Sequence, residues 1–86
     1  MSTLSLRRVQ YVPESLERGV LYVSEEFGVA VHLCGCGCGQ KTVTPLGPGE
    51  WTLTETPAGP SLSPSILQLG GCRSHYFVRN GVIEMC

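Results

Sequence analysis

The stretch His32-Leu33-Cys34-Gly35-Cys36-Gly37-Cys38-Gly39-Gln40 sets three cysteines at alternate positions with glycine between them. In an extended chain three such sulfurs share one face, and the glycines let the backbone turn tightly around whatever they hold. A Cys-x-Cys pair is a poor disulfide, because closing so small a ring violates the geometry the S–S bond requires. Two or three thiolates around one turn bind a metal without that strain. A second cluster, Gly70-Gly71-Cys72-Arg73-Ser74-His75, offers Cys72-x-x-His75 at metal-ligand spacing, again behind two glycines. Two ligand-bearing turns, each next to a hairpin, are the plan of a zinc ribbon or knuckle.

The expected metal is therefore one tetrahedral Zn2+, and the candidate ligands are Cys34, Cys36, Cys38, Cys72 and His75. That is one more than a tetrahedral site needs. Cys36, Cys38, Cys72 and His75 are the first choice, with Cys34 as the alternate thiolate or a small buried residue. His32, two residues before Cys34, is open to three roles: a further ligand, an outer-shell hydrogen-bond partner, or simply a strand-end histidine with a satisfied ring nitrogen. Cys86, at the last position, is expected to be an uninvolved thiol.

Length explains why a metal would help. A chain of 86 residues is one domain, here 1–86, and buries a small core that gains from a staple. Hydrophobic residues make up 42% and charged residues 15%, which excludes compositional disorder. The net charge of -1 gives no general attraction to nucleic acid or to anionic membrane. No segment is long and apolar enough to span a bilayer, and Met1–Val12 carries no secretory h-region, so a cytoplasmic address with reduced thiols is expected.

Period-two alternation predicts a mostly-β fold of short antiparallel strands and hairpins, zinc-ribbon-like and stapled by one metal site. Strands are expected at Leu6–Val12, Val20–Val23, Val29–Leu33, Thr42–Thr44 and Trp51–Thr54, with a turn at Glu25–Gly28. Pro13–Gly19 is expected to make one helical turn closed by Gly19. Thr56–Pro64 reads as loop, because Pro57, Pro60 and Pro64 each remove a ladder donor. Asn80-Gly81 inside His75–Glu84 is the favoured pair for a type I′ hairpin.

Enzymatic constellations are scarce. All seven acidic residues are glutamate, so no aspartate can complete a hydrolase triad. Ser74 and His75 are adjacent and point to opposite faces of a strand. Ser61-Leu62-Ser63-Pro64-Ser65 lacks the glycines of a nucleophile elbow. A catalytic zinc, or Cys72 and His75 as a thiol pair, would need an open metal position or an activated thiolate. Arg7, Arg8, Lys41, Arg73 and Arg79 are the only residues from which a basic, nucleic-acid-binding face could assemble.

His32–Gly39, Pro45-Leu46, Trp51, Leu62-Ser63-Pro64-Ser65-Ile66 and Cys72-Arg73-Ser74-His75-Tyr76-Phe77 together resemble a family of small, mostly bacterial domains of unknown function. Its pattern is an HxCxCGCG segment, then P-S-I, then CxSHY, and the resemblance covers about residues 19–84. It departs from that pattern at Gly35, where many members have proline. The resemblance implies zinc binding and genes lying near ubiquitin-like conjugation components. On these grounds the expected function is a non-catalytic, zinc-stabilised protein-interaction module, an accessory factor of a bacterial ubiquitin-like conjugation or phage-defence system. Its expected partner is a protein of that pathway, with no membrane involved. The alternatives are a nucleic-acid-binding zinc ribbon and a zinc- or cysteine-dependent enzyme.

Overall fold

The computed structural model describes residues 3–34, 39–67 and 75–85, together with the backbone but not the side chains of Pro64 and Leu67. Eight strands account for most of them: β1 Ser5–Arg8, β2 Val20–Ser24, β3 Val29–Leu33, β4 Lys41–Pro45, β5 Thr52–Thr56, β6 Gly59–Leu67, β7 His75–Arg79 and β8 Val82–Met85. They form two four-stranded sheets, in the orders β1-β2-β3-β4 and β5-β6-β7-β8. The mostly-β expectation holds. Among the described residues no helix is long and apolar enough to cross a membrane.

In the first sheet β2, β3 and β4 are antiparallel, and β1 lies parallel to β2. A parallel neighbour requires the chain to cross back over the sheet, and residues 9–19 make that crossing. The expected helical turn at Pro13–Gly19 does not form; the segment runs as bends and a turn. Its contacts explain why: the Glu17 N–H donates to Tyr22 Oη at 2.9 Å, and Ser24 Oγ donates to the Gln10 carbonyl at 2.8 Å. The crossing is thereby tied to β2, which is buried at all five positions, as a strand covered on both faces must be.

The second sheet is antiparallel throughout. Here the structure overturns the loop expected at Thr56–Pro64. Pro57-Ala58 is the turn between β5 and β6, and Gly59–Leu67 is the longest of the described strands. Two features accommodate the prolines. The Pro60 carbonyl accepts the Gly81 N–H at 2.7 Å, so this position is bonded through its oxygen. Pro64 falls between Leu62 and Ile66, where the register with β7 shifts, and an irregularity of that kind tolerates a missing donor. The Asn80-Gly81 turn is as expected, with φ of 51° and 80° at its two central residues.

The sheets share one core: Leu4, Leu21, Val23, Ala30 and Cys34 from the first half pack with Leu62, Ile66, Tyr76, Val78 and Ile83 from the second. Polar links among the described residues also join the halves. The Leu4 N–H donates to the Gly81 carbonyl at 2.7 Å, Arg8 forks onto Glu55 at 2.6 and 2.8 Å, and His32 Nε2 meets Tyr76 Oη at 2.8 Å.

Candidate functional site

Inward and outward positions alternate along β7. Tyr76 and Val78 are fully buried, whereas His75 and Arg79 are exposed and Phe77 is half-buried. In β6, Leu62 and Ile66 are the buried pair, and Ser63 and Ser65 fall between them. Leu62 pairs with Val78 and Ile66 with Tyr76, so four steps along β6 oppose two along β7. Such a bulge re-aims the side chains it contains. Ser65 lies within it, and its Oγ stands 2.8 Å from Nε2 of His75. A serine hydroxyl and a histidine ring nitrogen are thus in hydrogen-bond contact on an exposed sheet face. With its proton on Nδ1, the imidazole accepts the Ser65 proton at Nε2, which is the geometry of a nucleophile and its general base.

The same face continues away from this pair. The rings of His75 and Phe77 are tilted with centroids 6.1 Å apart, and the Arg79 guanidinium lies 4.3 Å over the Phe77 ring. Arg79 Nη1 also donates to Glu84 Oε1 of β8 at 3.3 Å. The Ser61–Ser65 run lacks elbow glycines, and the bulge in it sets one of its hydroxyls, that of Ser65, against a histidine.

Below the surface, on the opposite face of β7, lies His32. It is completely buried, with Nε2 bonded to Tyr76 Oη and the two rings edge-on at 84°. Its Nδ1 has no partner among the described residues. Burial alone lowers its pKa to about 4, so the ring is neutral near pH 7. Of the roles open to it from sequence, the satisfied ring nitrogen describes Nε2.

Two of the five candidate metal ligands, Cys34 and His75, lie among the described residues. Cys34 is buried in the core, and its N–H donates to the Gln40 carbonyl at 2.7 Å. His75 is exposed and in contact with Ser65. Cys36, Cys38 and Cys72 lie outside the described residues, as does Cys86. Among the described residues no group of three or more His, Cys, Asp or Glu side chains comes together as a metal site.

Among the described residues, three of the arginines are engaged by glutamates. Arg7 pairs with Glu17 at 3.6 Å and covers the Tyr22 ring, Arg8 holds Glu25 and Glu55, and Arg79 holds Glu84. Glu55 and Arg8 stabilise each other's charged form: the carboxylate's pKa is held below its ordinary value and the guanidinium's is raised further, in each case chiefly through their hydrogen bond. Arginines already paired with glutamates offer little to a phosphate backbone.

Comparison with curated proteins returns no match, and comparison with solved structures returns none. A family model does match, over residues 8–86, and its description is BubE, bacterial ubiquitination-like system serine protease. The chain belongs to the BubE family, and with it to the bacterial ubiquitination-like systems.

Proposed function

We propose that this protein is a serine peptidase of a bacterial ubiquitination-like system, with Ser65 as nucleophile and His75 as general base. The 2.8 Å contact between Ser65 Oγ and His75 Nε2 carries the proposal. The family's description as a serine protease supports it. Ser65 Oγ attacks the scissile carbonyl while His75 Nε2 takes its proton. The tetrahedral adduct collapses to an acyl-enzyme as His75 returns that proton to the leaving amine. Water, deprotonated by the same nitrogen, then hydrolyses the ester and regenerates Ser65. Both groups sit on an open sheet face, so the matching substrate is an extended segment of a protein in the pathway.

The experiment is labelling with a fluorophosphonate probe together with cleavage of the system's ubiquitin-like protein and its conjugates. Ser65→Ala should abolish labelling and His75→Ala should slow cleavage on the order of 10³-fold. Cleavage by Ser65→Ala at the wild-type rate overturns the assignment. Its companion outcome, an unlabelled wild-type chain that binds pathway proteins and cleaves none, favours the non-catalytic interaction module instead.

Structural zinc forms a second part of the proposal. The thiolates of Cys36, Cys38 and Cys72, with Cys34 or His75, would hold one Zn2+, whose binding is coupled to folding. The donor set fits a structural site, and one contact favours bringing its two halves together. His32 is two residues before Cys34, Tyr76 is four after Cys72, and these two side chains are bonded to each other at 2.8 Å.

A further inference from the structure

A serine–histidine pair works best when a third group fixes the imidazole tautomer and steadies the imidazolium that forms. The chain has no aspartate, so a carboxylate in this role would be one of its seven glutamates. Two of them lie in the sheet that carries Ser65 and His75: Glu55 in β5 and Glu84 in β8. Glu55 is engaged by both terminal nitrogens of Arg8, across the molecule on the other sheet. Glu84 stands on the working face. It is directly opposite Phe77 in the β7–β8 register, and Phe77 lies two residues from His75 on the same side of β7. Residues so offset are diagonal neighbours, about 7–8 Å apart, which a glutamate side chain can bridge.

The strand order matters as much as the spacing. With β7 between β6 and β8, Ser65 approaches His75 from one flank and Glu84 stands on the other. Nε2 is already taken on the Ser65 side. Nδ1 is the nitrogen left for a partner beyond it. We infer that Glu84 is the positioning residue of this site, accepting the Nδ1 proton of His75 and so leaving Nε2 free to act as base. This rests on the Ser65–His75 reading.

Arg79 bears on the same carboxylate. Its guanidinium is stacked on Phe77 and holds Glu84 at 3.3 Å, a long contact between two exposed side chains. Exposed pairs of this kind are weak, so Glu84 exchanges readily between Arg79 and His75. Arg79 is thus a competitor for the residue that orients the base. The two members of one ion pair then have opposite effects on the rate, which a merely structural pair would not produce.

The test uses the 86-residue chain and a fluorophosphonate probe, with Ser65→Ala, Glu84→Gln, Glu84→Asp, Arg79→Gln and the Glu84→Gln/Arg79→Gln double variant. Glu84→Gln should slow labelling about tenfold to a hundredfold and Glu84→Asp should recover part of it. Arg79→Gln should speed labelling, and the double variant should match Glu84→Gln. ¹⁵N NMR of the His75 ring should show the Nδ1–H tautomer in the wild type and a mixture in Glu84→Gln. Equal slowing by Glu84→Gln and Arg79→Gln, or wild-type rates in both, overturns the role of Glu84 while loss of labelling in Ser65→Ala still upholds the peptidase. Unchanged labelling of Ser65→Ala overturns the peptidase reading and this inference with it.

Discussion

His32 and Tyr76 form a neutral hydrogen-bonded pair in a part of the molecule where neither can reach water. A charged imidazole there would lose its hydration without an acid to compensate, and burial accordingly brings the pKa down to about 4. The pair therefore acts as a polar clasp between β3 and β7, held by one 2.8 Å bond. Tyr76→Phe keeps the ring and its packing but leaves Nε2 of His32 buried without that partner. The expected loss is about 1–3 kcal/mol, the cost of orphaning a buried polar group. Urea denaturation reads it as a lower midpoint at unchanged slope. A midpoint equal to wild type would mean that His32 finds another acceptor or donor when the hydroxyl is gone.

Hairpins carry the next level of the argument, because two of their turns touch. Gly59 has φ of 138°, and a Cβ built there would lie 2.7 Å from Gly81 Cα, the second residue of the Asn80-Gly81 turn. Backbone meets backbone, so no flexible side chain can move aside. Gly59→Ala should cost about 1–3 kcal/mol for the conformation alone, with the clash adding to it, and a thermal melt is sufficient to see it. The two turns differ sharply in how far they can be read from sequence. Asn80-Gly81 is a local signal, since both residues must adopt positive φ and the dipeptide names itself. The strand beginning at Gly59 is hidden by Pro60 and Pro64, whose fit depends on a carbonyl bond to Gly81 and on a bulge against β7, both made by distant chain. The candidate site is hidden for the same reason. Ser65 meets His75 only if β6 exists and is bulged between Leu62 and Ile66, and no motif spacing encodes that. Glu84 becomes interesting only once β8 is known to flank β7.

At the scale of the whole molecule the chain passes between the two sheets once, from β4 to β5, and the sheets are held by their shared core, by Arg8–Glu55, by Leu4–Gly81 and by His32–Tyr76. The chain enters one cysteine-bearing segment after Leu33, where Cys34 is backbone-bonded to Gln40, and leaves the other at His75, where Leu67 is its strand partner. A zinc bound by thiolates from both segments would add a further link between the halves at the end clasped by His32 and Tyr76. His75 decides the form of that link, because two roles compete for it. As a zinc ligand it would have one ring nitrogen on the metal, and it could not then both accept from Ser65 and donate to Glu84. As the base, it leaves Cys34 to complete a four-thiolate site with Cys36, Cys38 and Cys72. The expected result is about one zinc per chain by elemental analysis in the wild type and in His75→Ala, and much less in Cys34→Ser. Chelation should lower the melting temperature of the wild type and of His75→Ala alike, since the metal's binding energy is folding energy in both. Loss of zinc from His75→Ala with retention in Cys34→Ser would make His75 a ligand, and the hydroxyl of Ser65 would then lack its base.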